Sequence, residues 1–147
     1  MTQIAVVEND PSVAEMLRSY IRQYKKEQQA KLEAFFLNSE EITGECDSNY
    51  DIVLLDVQMS NYNGMQIAQR IHVEYPDSQL VLLGNTIQQA LDGYLVDAKG
   101  FILKPFNYCD FSQCLTRVIN RAKKRLWKSR IGLHNGYPTD RMTIRRG

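Results

Sequence analysis

The sequence has no long hydrophobic run and few residues of the kinds that bind soft metals. No segment of about 18 apolar residues occurs, as a membrane-spanning helix would require, and the first ten residues, MTQIAVVEND, lack the basic and apolar segments of a secretory leader. The three cysteines, Cys46, Cys109 and Cys114, have no paired zinc-type spacing. These absences predict a soluble, cytoplasmic protein with reduced thiols and no membrane partner.

The net charge of +1 conceals an uneven distribution. Residues 1–120 contain 9 Lys and Arg against 16 Asp and Glu, whereas residues 121–147 contain 9 Lys and Arg and one acid. A basic tail can contact nucleic acid or lipid, but the solvated end of a helix gives the same pattern. We therefore divide the chain into a domain over residues 1–128 and a basic linker or tail over residues 129–147.

Short apolar segments alternate with segments whose apolar residues recur at helical spacing. The apolar segments are rich in Val, Ile and Leu, which is typical of parallel strands buried on both faces. The predicted strands are residues 3–8, 31–37, 51–56, 79–84 and 100–103. Helices are predicted over residues 39–46, 65–75, 87–95 and 111–126, and from Pro11 to the polar segment at residues 25–29. The alternation predicts the α/β class, a doubly wound, five-stranded parallel sheet with helices on both faces.

Polar residues stand where several predicted strands end, at the edge of a doubly wound sheet where ligands bind. They are Glu8, Asn9 and Asp10 after the first strand, Asp56 at the end of the third, and Lys104 after the fifth. Several carboxylates close together require a cation, and oxygen ligands suit Mg²⁺. A lysine beside them can bind a phosphoryl oxygen, and a positioned carboxylate can form an aspartyl phosphate. Asp10, just before Pro11, is predicted to cap the first helix instead.

Four short motifs resemble the receiver domain of two-component response regulators. They are VVEND, LLDVQM, Gly64 and ILKPF, and their order and spacing match that family over residues 3–125. The resemblance implies a (βα)5, flavodoxin-like fold and a signalling module rather than an enzyme. It also implies that Asp56 accepts a phosphoryl group from a sensor histidine kinase, assisted by Lys104, and that the peptide bond from Lys104 to Pro105 is cis.

The same resemblance implies a Mg²⁺ site, but the sequence departs from the family at two places. The implied ligands are Glu8, Asn9, Asp56 and the backbone carbonyl of Gln58. Asn9 stands where the family usually has an acid, and an amide oxygen brings no charge, so weaker Mg²⁺ binding is expected. Gly84 stands where the family commonly has Thr or Ser, and Phe101 maps to the companion aromatic residue of its switch. The readout of phosphorylation is therefore predicted to be altered. Thr86 is predicted to belong to the following loop or helix.

The end of the chain is predicted to lead towards an output domain. The segment YLVDAKGFILKPF, residues 94–106, is similar to receivers joined to LytTR-type DNA-binding domains, and RMTIRRG, residues 141–147, would be the first strand of such a domain. The resemblance then implies control of transcription, with DNA contacts outside this chain. Tyr94, Phe101 and Phe111 motivate a possible homodimer surface formed by the fourth helix, the fifth strand and the fifth helix, and ordinary core positions are the alternative for these three residues.

Two other functions are weighed against the phosphorylated receiver. A pseudo-receiver with little or no phosphorylation, acting as a protein interaction module, is favoured by Asn9 and Gly84. A hydrolase of haloacid dehalogenase type also uses an aspartate at a strand end, but needs a second aspartate two residues later, where this sequence has Gln58. His72 and His134 have no partners at metal-ligand spacing, so surface or packing roles are predicted for both.

Overall fold

Strands and helices alternate along the chain, as the sequence predicts. The structure, a computed structural model, describes residues 1–44, 49–58 and 64–124 with their side chains, and the backbone of residues 125–130, 133–134 and 137–138. Within these residues the main elements are β1 Thr2–Val7, α1 Pro11–Gln28, β2 Leu32–Leu37, α2 Ser39–Thr43, β3 Ile52–Asp56, α3 Gly64–Glu74, β4 Gln79–Gly84, α4 Ile87–Asp92, a 3₁₀ turn Gly93–Val96, β5 Gly100–Leu103 and α5 Tyr108–Arg130. Two short antiparallel strands, β6 Leu133–His134 and β7 Tyr137–Pro138, follow in the tail.

The first five strands form one parallel sheet in the order β2-β1-β3-β4-β5. Helices α1 and α5 cover one face of the sheet, and α2 and α3 cover the other. The predicted fold class, a doubly wound five-stranded parallel sheet, is confirmed. Because the strands are parallel, their carboxyl ends lie at one edge, where ligands bind in sheets of this kind.

Strand β1 shows how the apolar segments build the two layers of the core. Ile4 and Val6 pack on the face covered by α1 and α5, whereas Ala5 and Val7 pack on the face covered by α3. Successive side chains of a strand point to opposite faces, so a strand that is apolar at every position is buried on both. Full burial of one such aliphatic side chain contributes roughly 1.5–3 kcal/mol, and the central strands provide many of them.

Helix α1 is longer than the sequence predicts. It continues through the polar segment at residues 25–29 as far as Gln28, and Gln29 then adopts the left-handed conformation with a φ of 49°. Lys, Glu and Gln all have high helix propensity, and Ile21 and Tyr24 hold the preceding turns against the core. The end of an exposed helix is solvated, so a polar segment by itself does not mark where the helix stops.

The helix predicted over residues 87–95 is divided into α4 and the 3₁₀ turn. Within α4, all of whose residues are described, no residue is buried. The exposed apolar side chains of this region are Ile87, Leu91, Tyr94 and Leu95. Gly93 and Val96, in the turn, make the buried contacts instead. The apolar residues at helical spacing therefore form a surface here and not a core stripe.

Of the three aromatic residues that suggested an association surface, Phe111 is in the core. Its side chain is fully buried against Tyr20 beneath α5, so Phe111 occupies a core position, which is the alternative that the sequence leaves open, and it does not contribute to an association surface. The reason is that Phe111 lies on the same helical face as Leu115, which also faces the sheet. Phe101 is half-buried and Tyr94 is exposed.

Some predictions concern residues that the structure does not describe. Residues 45–46 of the predicted second helix, the segment at residues 141–147 and the side chain of His134 lie outside the described residues. His72 is described, and its side chain is exposed on α3, as predicted.

Candidate functional site

Glu8, Asp56 and Lys104 converge at the carboxyl edge of the sheet. Asp56 is the last residue of β3, Glu8 follows β1, and Lys104 follows β5. Strands β1 and β3 are neighbours in which Val7 is level with Leu55, and this register brings Glu8 beside Asp56. Lys104 Nζ lies 2.9 Å from Glu8 Oε1 and 3.4 Å from Asp56 Oδ2. The three strand ends thus place two carboxylates and one ammonium group in direct contact.

The three charged side chains are largely shielded from water. The exposed fraction of the side chain is 0% for Glu8, 4% for Asp56 and 21% for Lys104. Burial and contacts with Asp56 raise the pKa of Glu8 to about 7, against the opposing effect of Lys104. Two acidic groups share one lysine, so the cluster keeps an excess of negative charge when both are ionised. A divalent cation would relieve this repulsion.

Backbone hydrogen bonds fix the main chain on both sides of the cluster. Lys104 N donates to Gly84 O at 2.7 Å, which extends the pairing of β4 with β5 by one residue. Gln58 N donates to Asp56 Oδ1 at 2.9 Å. The peptide bond from Lys104 to Pro105 is cis, as the resemblance implies. Asp56 and Lys104 therefore stand on well-anchored backbone.

The residues implied as Mg²⁺ ligands fit this ion. Glu8 and Asp56 provide two carboxyl groups, and Asn9 and Gln58 are their exposed neighbours in the chain. In the part of the chain that the structure describes, no group of three or more His, Cys, Asp or Glu side chains is placed to hold a metal ion. Mg²⁺ commonly uses one or two protein carboxylates and completes its shell with water and phosphate oxygens. The donor set is therefore suitable for Mg²⁺. It has one anionic group fewer than a site with an acid at position 9 would have, because Asn9 is an amide.

Asp10 and Gly64 have structural roles. Asp10 is the N-cap of α1, and its Oδ1 accepts hydrogen bonds from Ser12 N at 2.9 Å and from Ser12 Oγ at 2.8 Å. The predicted capping role of Asp10 is confirmed. Gly64 begins α3 so close to Val57 that a Cβ on Gly64 would lie 2.3 Å from the Cα and the carbonyl oxygen of Val57. Gly64 thus allows α3 to pack directly beside the end of β3.

The sequence prediction missed Gln89, which lies next to Gly84 in the structure. Gly84 is buried at the end of β4. Thr86 is the N-cap of α4, which agrees with the prediction that Thr86 belongs to the following loop or helix. Thr86 Oγ1 accepts a hydrogen bond from Gln89 N at 3.1 Å, and Gln89 Oε1 lies where a side chain on Gly84 would begin. The signal for Gln89 was available, because Thr followed three residues later by Gln is the pattern of a capping box.

Comparison with known proteins identifies the class. The response regulator receiver domain family matches residues 4–116, and the chain belongs to this family. It is similar to the transcriptional regulatory protein DcuR of Escherichia coli K12, with 26% identity over 121 residues that cover 79% of this chain and 49% of DcuR. It is also similar to the sensory transduction protein LytT of Oceanobacillus iheyensis, with 25% identity over 72 residues, 48% of this chain and 29% of LytT.

A solved structure supports the same conclusion. The non-phosphorylated receiver domain of HemR from Leptospira biflexa is 26% identical, has a TM-score of 0.66, and aligns with 81% of this chain and 94% of that chain. The predicted resemblance to response regulator receivers is confirmed. The chain spans about half the length of DcuR. None of the helices that the structure describes combines the length and the apolar character needed to cross a membrane.

Proposed function

We propose that Asp56 accepts a phosphoryl group from a sensor histidine kinase. The observation that carries this proposal is the contact of Lys104 with both Asp56 and Glu8 at the carboxyl edge of the sheet. Phosphoryl transfer to a carboxylate needs positioning and neutralisation of charge more than it needs proton transfer. Membership of the receiver family makes a phosphohistidine of a kinase the natural donor.

In the proposed step, a carboxylate oxygen of Asp56 forms a bond to phosphorus while the bond from phosphorus to the imidazole nitrogen of the donor breaks. The nitrogen keeps the electron pair of the broken bond. Lys104 Nζ, at 3.4 Å from Asp56 Oδ2, is placed to bind an oxygen of the incoming phosphoryl group. Glu8, Asn9, Asp56 and the backbone carbonyl of Gln58 would hold Mg²⁺, which when bound neutralises charge on the carboxylates and the phosphate.

Intact mass after treatment with acetyl phosphate, with and without Mg²⁺, tests this function. The expected result is the gain of one phosphoryl group that depends on Mg²⁺. The alternative is a protein interaction module that is not phosphorylated, and the exposed apolar surface of α4 and the 3₁₀ turn favours it. An unchanged mass at millimolar Mg²⁺ and excess donor would support that alternative.

Asn9→Asp is expected to strengthen Mg²⁺ binding about tenfold, because a second charged ligand would follow Glu8. Isothermal titration calorimetry measures the effect. Asn107→Asp is the matched control, since Asn107 also follows a strand at this edge and caps α5, a role that Asp fills equally well. Equal strengthening in both variants would show that net charge, and not a ligand at position 9, is responsible.

We propose that residues 1–128 form the receiver and that residues 129–147 lead to a LytTR-type DNA-binding domain, through which transcription is regulated. The chain covers 29% of LytT and 49% of DcuR, which leaves room in proteins of this kind for an output domain. DNA contacts are assigned to that domain and not to the receiver.

We further propose a phosphorylation-favoured homodimer through the face made by α4, β5 and α5. The exposed apolar residues of this face lie on α4, on the 3₁₀ turn that follows α4, and on β5: Ile87, Leu91, Tyr94, Leu95 and Leu103. With beryllofluoride as a phosphoryl mimic, sedimentation should show an increase in mass, and Leu95→Asp should weaken the association at least about tenfold. Val73→Asp is the matched control on α3, since Val73 is 75% exposed and Leu95 is 74% exposed. A mass that beryllofluoride leaves unchanged would contradict this dimer.

A further inference from the structure

The space that a side chain at position 84 would occupy is filled by other residues. A Cβ built on Gly84 would lie 2.5 Å from Gln89 Oε1, 2.9 Å from Phe101 Cζ and 3.0 Å from Val57 Cγ2. The first distance is far shorter than any normal contact of a Cβ. The absence of a side chain on Gly84 is therefore what allows Gln89 to lie against the end of β4.

Gln89 uses this space to bind the connection between β4 and α4. Its Oε1 accepts hydrogen bonds from Asn85 N at 2.9 Å and from Thr86 N at 3.2 Å, and the Thr86 hydroxyl accepts from Gln89 N at 3.1 Å. One side chain thus satisfies two consecutive backbone donors that follow the strand. The connection and the first turn of α4 are joined by three hydrogen bonds.

Helix α4 has few other attachments to the body of the protein. None of its six residues, all described, is buried, and Ile87 and Leu91 extend into solvent. Its C-terminal end is held through Gly93 and Val96 of the 3₁₀ turn. Because core packing provides most of the stability of helices in proteins, a short helix without buried residues depends on its caps.

The same backbone position is also hydrogen-bonded to Lys104 of the candidate site. Gly84 O accepts the hydrogen bond from Lys104 N, and Asn85, the next residue, is bound by Gln89. The peptide units around Gly84 therefore lie between the lysine of the site and the helix that carries the exposed apolar residues. A change in the hydrogen bonds of this segment can therefore affect both Lys104 and α4.

We propose that Gln89 is a latch that occupies the space left by Gly84 and holds the β4–α4 connection and α4 against the sheet. When Gln89 leaves this space, α4 is released as a local unit while the five strands remain folded. The latch exists before any phosphorylation, so this inference does not depend on the function proposed above. It assigns to Gln89 a positioning role, since its side chain holds α4, with its exposed apolar residues, against the sheet.

Amide hydrogen exchange of the unmodified protein, followed by NMR without phosphodonor or Mg²⁺, tests the latch. In Gln89→Ala, exchange of Asn85 N–H, Thr86 N–H and the amides of α4 should become at least about tenfold faster, because two hydrogen bonds to the connection are lost. Exchange in the central strands should remain as in the wild type. Gln89→Glu keeps an acceptor oxygen and should retain most of the protection.

Gln88→Ala is the matched control. Gln88 is the neighbouring glutamine of α4, and its Nε2 donates to Asp92 Oδ1 at 2.9 Å on the exposed side of the helix. Gln88→Ala should leave the protection of Asn85 and Thr86 unchanged. If Gln89→Ala exchanges no faster than Gln88→Ala at these two amides, or if it accelerates exchange throughout the sheet, the latch is refuted.

A second variant tests the same contact from the other side. In Gly84→Ala the new methyl group overlaps Gln89 Oε1, so the exchange of Asn85 and Thr86 should increase as it does in Gln89→Ala. In the double variant the two effects should not add, since both remove one interaction. Full protection of Asn85 and Thr86 in Gly84→Ala would show that Gln89 does not depend on the space above Gly84.

Discussion

Asp56→Asn is expected to remove the gain in mass that acetyl phosphate and Mg²⁺ produce in the wild-type protein. The amide is neutral and a poor nucleophile, so transfer to this position should be slower by on the order of a thousandfold or more. The fold should persist, because Asn has nearly the same shape and its side-chain oxygen can still accept the hydrogen bond from Gln58 N. Intact mass spectrometry after a fixed reaction time measures the difference.

Asp10→Asn is the control for this experiment. Asp10 lies two residues from Glu8 at the same edge of the sheet, but it caps α1, and Asn is an equally good N-cap. Asp10→Asn should therefore gain the phosphoryl group as the wild type does. A full gain of mass in Asp56→Asn would place the acceptor at another residue and refute the role of Asp56.

Gly64→Ala is expected to destabilise the protein by about 3 kcal/mol or more, the largest effect on folding among the substitutions considered. The added Cβ would lie 2.3 Å from backbone atoms of Val57, which cannot rotate away as a side chain can. Val57 directly follows Asp56, so relief of the overlap requires movement of the end of β3 or the start of α3. Urea denaturation gives the free energy of unfolding.

Gly93→Ala is the matched control for a buried glycine. Its added Cβ would be 3.3 Å from Leu82 Cδ1 and 3.5 Å from the Cβ of Ala98, both side-chain atoms, and Gly93 has helical backbone angles with a φ of −58° and a ψ of −27°. Ala is favourable in this conformation, so the change should stay within about 1 kcal/mol. Similar losses of unfolding free energy in both variants would show that the close approach of Gly64 to Val57 is not the cause of the destabilisation.

The sequence was a good guide wherever a local pattern has one structural solution. The apolar segment before Asp56 has no regular polar alternation, and in an α/β protein this means a strand buried on both faces. Parallel strands bring their carboxyl ends to one edge, so the sequence alone predicts that Glu8, Asp56 and Lys104 lie together, as they do in the structure. Asp10 before Pro11 likewise has a strong local preference for a helix cap.

The sequence was a poor guide where two structures share one pattern. Apolar residues at helical spacing from Ile87 to Leu95 are compatible with a core stripe or with an exposed surface, and burial depends on what packs against the helix. Phe111 shows the opposite outcome, since its place in the sequence is compatible with a surface or a core position and the residue is buried. The polar segment after Tyr24 reads as a break but continues α1 into solvent.

By itself, then, the sequence determined the order of strands and helices and which charged and polar residues stand at the strand ends. Periodicity and local propensity suffice for this because they act over a few neighbouring residues. The tertiary structure decided which faces are exposed and what fills the space above Gly84. Gln89 is five residues away along the chain, and Phe101 belongs to another strand. The capping-box pattern pairs Gln89 with Thr86, but the filling of the space above Gly84 depends on the distances between packed elements, which no local pattern contains.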